Sequence, residues 1–471
     1  VKQRRPVPGA GRQIVTELIV MYPQERRVLL PPDLQPVTSL EAYKIQGGLA
    51  GLEKARSMSR DDLIALVKAS GLRGRGGAGF PAAIKWETVS RAPDPKKYVV
   101  CNGAEGEPGT YKDRYLLGKN PYGLIEGMLI AAYAIDARQA ILGTKEKFKD
   151  IVLLLKRALE EFEAAGLCPP GYLRIVLGPD EYLLGEEKGL MEAIDGRAPM
   201  PRFFPPFMVG VGAGPTETNP TVVNNVETMC HLPHIVSKGP EWFRSNGSPD
   251  TPGTMILTLT GDVKRPGMYE VSLGLTAREL IYDIGGGPRD EAHPIKAVLS
   301  GCSNRVMVPK QFDLRMEFGT LRQAGLGLGS GGFMVYDDTH NMVDIAWMIS
   351  NFLAVSSCGQ CVPCNMGTRV ITGHLRNLRS GKGSRRDLEA IRIEAGRCTS
   401  QTRCFLPTQE SIVIPSLMEV FSEDFERAAT EGYEALTDPL IPKIQCFDEI
   451  RGRFVIEPEP VEFRRENALF Y

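Results

Sequence analysis

Three features of the sequence predict an α/β protein built on a parallel sheet and followed by further units. Apolar strands and amphipathic helices alternate between residues 98 and 178. A strand, a tight turn and a second strand follow between residues 254 and 271, and from Val343 onward apolar residues recur at helical spacing up to a run of cysteines.

The elements can be read in order. Tyr98-Val99-Val100-Cys101 is a strand stopped by Asn102-Gly103, and residues 121–135 are helical. Gln139-Ala-Ile-Leu142-Gly143 is a second strand. Phe148, Ile151, Val152, Leu155, Leu159 and Phe162 share one helical face, and Leu173-Arg-Ile-Val-Leu177-Gly178 is a third strand. Ligands on such sheets bind beyond the strands' carboxyl ends, which here carry the loops 101–115 and 178–190.

At 471 residues the chain exceeds one ordinary core and predicts about two to four domains. The 56 basic and 57 acidic residues balance, which argues against nucleic acid or an anionic membrane as partner. Ten cysteines are too dilute for a disulfide-stapled secreted domain, and no signal-peptide or membrane-spanning run occurs. A cytoplasmic protein is expected.

The most specific chemistry lies in Cys358-Gly-Gln-Cys361-Val-Pro-Cys364, with Cys398 and Cys404 beyond it. Three thiols spaced by two residues can hold three corners of one [4Fe-4S] cube, with a fourth thiol from elsewhere. Zinc competes for such thiols, but structural zinc sites usually pair two separated C-x2-C units or Cys with His pairs, and no second unit follows. Cys404, in the apolar segment Arg-Cys404-Phe-Leu-Pro, suits the fourth position better than Cys398 in its polar run. Cysteines 101, 168, 230, 302 and 446 read as small buried hydrophobes.

Glycines crowd residues 71–86, Gly71-Leu-Arg-Gly74-Arg75-Gly76-Gly77-Ala-Gly79-Phe80-Pro-Ala-Ala-Ile-Lys85-Trp86. Such a loop lets backbone N–H groups approach an anion, and Arg73, Arg75 and Lys85 add positive charge. It is neither a P-loop nor a clean dinucleotide fingerprint. The loops Asn102-Gly-Ala104-Glu105-Gly-Glu107-Pro-Gly109-Thr and Tyr182-Leu-Leu-Gly185-Glu186-Glu187 bring carboxylates able to meet ribose hydroxyls or a flavin's polar edge. Pro201-Arg-Phe203-Phe204-Pro-Pro-Phe207 offers rings for stacking, although each Phe alone reads as core packing.

These stretches, with Pro-Thr-Val-Val-Asn224-Asn225-Val-Glu-Thr and Ser-Cys-Gly-x-Cys-x-Pro-Cys, occur in one order, and together they resemble the flavin-bearing, NADH-oxidising 51-kDa-type subunit of respiratory complex I. The same subunit type recurs in soluble NAD-linked formate dehydrogenases, hydrogenases and electron-bifurcating complexes. The resemblance runs from about residue 45 to 440 and implies a Rossmann-like FMN domain, a ubiquitin-like β-grasp domain and a C-terminal helical bundle carrying the cluster. The expected divisions are a lead-in over 1–65, the FMN/NAD domain over 66–250, the β-grasp domain over 251–335, the bundle over 336–440 and an extended arm over 441–471. Residues 276–282 are the expected grasped helix, and 325–332 a close-packed glycine connector.

By the same resemblance, FMN is held by Gly74, Arg75, Gly76, Lys85, Asn102, Tyr182, Gly185, Glu186, Asn224 and Asn225. The nicotinamide nucleotide meets Phe80, Glu107, Glu187 and Phe207, and Cys358, Cys361, Cys364 and Cys404 hold the cluster. NADH passes hydride to FMN, which releases single electrons to the cluster and on to partners: a small thioredoxin-like [2Fe-2S] subunit and further iron–sulfur subunits. A cytoplasmic location, or a peripheral one at the inner membrane through partners, is implied. The chain departs from the family at Ala104, where an Asp is usual, at Phe204, where a Lys is usual, and at Ser356 and Asn365, which replace Glu and Arg around the cysteines. The alternative is a specialised homologue with a weakened dinucleotide site, working as a flavin/iron–sulfur or bifurcating subunit.

Overall fold

The structure is a computed structural model that describes residues 22–457. The parts of the expected terminal arms at 1–21 and 458–471 lie outside the described residues.

Four parallel strands form the first sheet: β1 (Tyr98–Gly103), β2 (Gln139–Lys145), β3 (Leu173–Gly178) and β4 (Thr221–Asn225). Their spatial order is β3-β2-β1-β4, with Val100 opposite Ile141 on one side and Val223 on the other. The sequence alone does not predict β4, because Thr-Val-Val-Asn-Asn is too short to carry an alternation. The chain therefore steps outward from β1 to β3 and returns to β1's other edge. That reversal opens a crevice at the carboxyl ends of β1 and β4, where doubly wound sheets bind ligands.

Helix Pro121–Ala134 is buried almost all round, between this sheet and helix Val226–Lys238. A Cβ on Gly127 would stand 2.0 Å from the Met229 carbonyl, so only glycine permits this approach. Beside it the buried Glu126 accepts from Leu49 N–H (2.8 Å), Leu52 N–H (2.9 Å) and the Tyr43 hydroxyl (2.5 Å). The carboxylate thus satisfies donors left open at the start of helix Ala50–Arg56.

The second sheet contains β5 (Thr254–Gly261), β6 (Gly267–Ser272), β7 (Ile295–Ser300) and β8 (Gly332–Asp337), ordered β6-β5-β8-β7. β5 and β8 run parallel and the outer pairs antiparallel, the arrangement of a β-grasp domain. The grasped helix lies at Glu279–Ile284, slightly beyond the expected 276–282, and is wound wide: Gly285 N–H reaches back five residues to Leu280 O (2.8 Å). Leu280, Ile281 and Ile284 bury its inner face.

Buried charges join these units. Glu270 on β6 accepts from the N–H groups of Val28, Leu29 and Leu30 and from the Thr254 hydroxyl, fixing the N-terminal segment on the sheet. Glu227 accepts from Ile256 N–H (2.8 Å) in β5 and pairs with the buried Lys112 (2.8 Å).

Helices Met342–Ser356, Val362–Arg379, Arg385–Ala395, Leu406–Val420 and Ser422–Thr430 form the bundle around Ile349, Leu375, Ile391, Val413 and Leu417. The expected extended arm over 441–471 needs correction in its described part. Residues 444–456 form an antiparallel hairpin, β9 (Ile444–Asp448) with β10 (Arg453–Ile456), folded back on the first domain. Arg114 donates to Ile444 O (2.7 Å), and Gly109 N–H to Pro442 O (2.8 Å).

Candidate functional site

The glycine loop bridges helices Arg60–Ser70 and Ala82–Ser90. It closes on itself through Gly74 N–H to Phe80 O (2.8 Å) and Ala82 N–H to Leu72 O (3.0 Å). Gly79 has a φ of +62°, and a Cβ there would stand 2.5 Å from the Phe318 ring, so no larger residue fits. Across a narrow slot, Gly77 faces Gly329 and Ser330, which puts the second glycine stretch opposite the first.

Lys85 and Trp86 leave the following helix toward the sheet. Lys85 Nζ lies 2.9 Å from Glu187 Oε2 and 3.3 Å from Val223 O in the middle of β4. Trp86 Nε1 donates to Asn224 Oδ1 (3.0 Å). Asn225 caps helix Val226–Lys238 through Glu227 N–H (3.0 Å) and donates to Asp113 (2.6 Å). Gly76 presses on Asn225, where a Cβ would come within 3.2 Å. Glycine loop, Lys85, Asn224 and Asn225 therefore converge at the β1/β4 crevice.

Arg75 does not. Its guanidinium is buried and donates to Pro252 O (3.0 Å) and Thr254 O (3.2 Å), so its side chain fastens the loop to the β-grasp domain. Burial lowers its pKa to about 10, with Glu227 opposing that shift.

From the other side of β1, Asn102 Nδ2 donates to Gly185 O (2.7 Å). Gly185 ends the short turn Tyr182–Gly185, packed so closely that a Cβ would stand 3.0 Å from Ala104 O. Glu186 caps helix Glu187–Ile194 by accepting from Lys188 N–H (2.8 Å) and Gly189 N–H (3.0 Å); burial pushes its carboxyl up to about 7. Glu105 turns inward to Asp113 N–H (2.9 Å) and Arg114 Nε (2.8 Å).

Glu107 sits in a network that the sequence does not announce. Tyr182 donates its hydroxyl to it (2.5 Å), as do Cys302 N–H (2.7 Å) and the Ser303 hydroxyl (3.2 Å), while Gln409 donates to both Tyr182 and Ser303 (2.7 Å each). Burial raises the Glu107 carboxyl, and those hydrogen bonds oppose the shift. The network ties both sheets and the bundle together at one point. Only Glu107 and Tyr182 carry a local sequence signal, because their partners come from distant segments.

The rings at 80, 203, 204 and 207 do not pack as core. Phe80 is 46% exposed and Phe207 47%, leaving free faces for a planar ligand. Phe203 and Phe204 lean edge to face at 5.3 Å. Arg202 holds this segment through Asp195 (2.6 Å) and Gly210 O (2.9 Å).

Cys358, Cys361, Cys364 and Cys404 line one cavity with Leu183, Leu406 and Pro407. Burial pushes the Cys364 thiol up to about 11 and that of Cys404 to about 12. Cys398 lies outside that lining, with its sulfur on the carbonyls of Ala395 (3.5 Å) and Pro407 (3.3 Å). Four free thiols around an apolar hollow suit an iron–sulfur cube, which needs one thiolate per iron. Pro201 O accepts from Gln360 and Arg403 (3.2 Å each), so the aromatic segment is tied to both cysteine loops. The donor set at the crevice, one lysine with asparagines and open glycine backbone, suits a phosphate-bearing planar ligand such as FMN.

Residues 67–234 match the family described as the Nuo51 FMN-binding domain, residues 256–306 the SLBB domain, and residues 344–428 the NADH-ubiquinone oxidoreductase-F iron-sulfur binding region. The last match removes the zinc reading. The chain is similar to the F 2 subunit of NADH-quinone oxidoreductase in Rhizobium meliloti, 36% identical over 396 residues that cover 82% of this chain and 93% of that protein. The corresponding F subunit in Streptomyces coelicolor is 37% identical over 401 residues, covering 83% and 88%. Among solved structures, NAD+-reducing [NiFe]-hydrogenase in the air-oxidised state aligns with a TM-score of 0.72 at 33% identity, covering 81% of this chain. This chain spans 65% of that hydrogenase chain. On sequence, fold and the order of its three regions, the chain belongs to the family of NADH-quinone oxidoreductase F subunits.

Proposed function

We propose that this protein is the NADH-oxidising flavoprotein subunit of a larger oxidoreductase, running in either direction between NADH and NAD+. It carries FMN and a [4Fe-4S] cluster: bound FMN accepts the two electrons of a hydride and gives them up singly, and the cluster takes one at a time. One observation carries this reading. The Tyr182–Gly185 turn touches both sites, since Gly185 O accepts the Asn102 amide at the crevice and Leu183 lines the cysteine cavity.

Placement supports the following residue roles. The backbone of Gly74 and Gly76, the ammonium of Lys85 and the amides of Asn102, Asn224 and Asn225 orient FMN, with Gly185 closing the far side. Tyr182 and Glu186 hold that turn in shape, and Arg75 fixes the glycine loop from behind. The faces of Phe80 and Phe207 receive the rings of the dinucleotide beside Glu107 and Glu187. With both cofactors bound, these residues would position and orient them for hydride transfer, and no side chain needs to move a proton. Cys358, Cys361, Cys364 and Cys404 ligate the cluster, and the units 66–250, 251–335 and 336–440 divide these tasks.

Electrons leave through a partner, which we take to be an iron–sulfur subunit, including a small [2Fe-2S] protein. Val362 (66% exposed), Met366 (62%) and Phe405 (54%) form an apolar ridge beside Cys361 and Cys404. Helix Val362–Arg379 carries Arg369 and Arg376 and no acidic residue, which favours an acidic face on that partner. No helix among the described residues is long and apolar enough to cross a membrane. From its family relatives we place the protein in the cytoplasm, or peripherally at the inner membrane through its partner subunits.

Anaerobic addition of NADH to the purified yellow-brown protein tests this reading. Bleaching of the flavin absorbance at stoichiometric NADH is expected. Flavin that bleaches with dithionite and stays oxidised with NADH would favour the specialised homologue with a weakened dinucleotide site.

A further inference from the structure

On the helix whose first residues, Leu406 and Pro407, line the cysteine cavity, one buried carboxyl lacks the partners that an ionised group needs. Glu410 lies on helix Leu406–Val420 with no exposed surface. Its Oε1 is 2.6 Å from the Ser350 hydroxyl, and its Oε2 has no hydrogen-bond partner among the described residues.

The adjoining hydroxyls supply that carboxyl with one proton donor only. Ser350 donates to Oε1, and Ser350 Oγ is also 2.8 Å from Thr372 Oγ1, whose hydroxyl donates to Thr368 O (2.8 Å). Both hydroxyl protons are thereby used, and Oε2 is left as a buried acceptor without a donor, the atom at which a proton taken up would sit. The Thr368 hydroxyl continues the row to the Cys364 carbonyl (2.9 Å).

Among the described residues no cation pairs with this carboxyl. On helix Met342–Ser356, Asp344 is taken by Arg379 and Tyr433; near helix Arg385–Ala395, Asp387 is taken by His374 and Asn377. On helix Ser422–Thr430, Asp424 is held by Lys296. The thiols of Cys302, Cys364 and Cys398 feel the charge of Glu410. Burial pushes its carboxyl up to about 8, with the Ser350 hydrogen bond opposing.

We propose that Glu410 couples a proton to the redox state of the cluster held by Cys358, Cys361, Cys364 and Cys404. When one electron enters the cluster, one proton from solvent converts the Glu410 carboxylate to the carboxyl, and oxidation releases both. Glu410 is a positioning residue for charge: its row of hydroxyls ends on the Cys364 backbone, and its proton offsets negative charge added at the cluster in a medium of low polarity. The inference rests on the cluster assignment under the proposed function.

The test is a dithionite titration of the cluster in the whole protein, followed by its electron paramagnetic resonance, at a series of pH values. The midpoint potential is expected to stay level below about pH 8 and to fall above it. A tenfold change in proton activity sets an upper slope of about 59 mV per pH unit. Glu410→Gln, which keeps the shape and removes the titration, should give a level potential throughout. A level wild-type potential would overturn the proposal, and so would a slope that survives in Glu410→Gln. Should that variant fail to fold, the wild-type slope alone decides. Absence of a paramagnetic cluster from the wild type would instead strike at the cluster assignment.

Discussion

Cys398 and Cys404 stand close in sequence yet meet different surroundings. Cys404 shares a cavity with the three-cysteine run, whereas Cys398 is buried against the carbonyls of Ala395 and Pro407. Cys404→Ser is therefore expected to drop iron from four atoms per chain to near zero, measured by colorimetric assay. Cys398→Ser should keep the iron and cost about 1–3 kcal/mol of stability from placing a hydroxyl in a buried site. Loss of iron from Cys398→Ser with retention in Cys404→Ser would reverse the assignment. The distinction is legible because Phe405-Leu406-Pro407 marks an apolar wall by composition alone. The direction of Arg75 is not legible: its partner Pro252 lies 177 residues away, and a glycine-flanked arginine reads equally well as a ligand contact. The free faces of Phe80 and Phe207 are hidden for a related reason, since a phenylalanine in isolation is more often core.

Among elements, helix Arg385–Ala395 carries a titration signature set by its own cap. Ser384 and Asp387 form a capping box at its start. Burial alone would raise the Asp387 carboxyl, but hydrogen bonds from Asn377, His374 and Ser384 outweigh it and hold the group at about 2, below its ordinary 3.8. A folded value below the unfolded one gives stability that is present above about pH 4 and lost as pH falls toward 2. Asp387→Ala is expected to lower stability at neutral pH by about 1–2 kcal/mol. In thermal melts the gap from wild type should narrow as pH falls from about 4; a gap that is constant with pH would contradict this. Strands β1 to β3 and the helices between them are legible because their periodicities are long and clean. β4 and the β9–β10 hairpin are not, being five residues or fewer per strand and stabilised by pairing with distant segments.

Across the whole molecule, a buried ion pair with its hydrogen bond to β5 fixes the relation of the two sheets, and hydrogen bonds from Gln409 add the bundle. Lys112 is enclosed between Asp113 (2.7 Å) and Glu227 (2.8 Å), and Glu227 also holds β5 by the Ile256 N–H. Removing the Glu227 charge leaves a buried cation short of its counter-charge. Glu227→Gln is thus expected to cost about 3–5 kcal/mol in chemical denaturation, and an unchanged midpoint would show that Asp113 suffices. The crevice and the cysteine cavity meet at the Tyr182–Gly185 turn, where hydrogen bonds among Glu107, Tyr182, Ser303 and Gln409 join three units. The order of motifs along the chain announces the sites, but their adjacency depends on contacts that no local pattern encodes.

On the proposed function, electrons enter as hydride at the crevice and leave singly through the four-cysteine cavity. Anaerobic NADH, followed by rapid freezing and electron paramagnetic resonance of wild type and Cys404→Ser, measures this directly. Wild type should show bleached flavin and the signal of a reduced cluster, and Cys404→Ser bleached flavin with no cluster signal. A wild-type cluster that stays oxidised after its flavin has been reduced by NADH would contradict the claim.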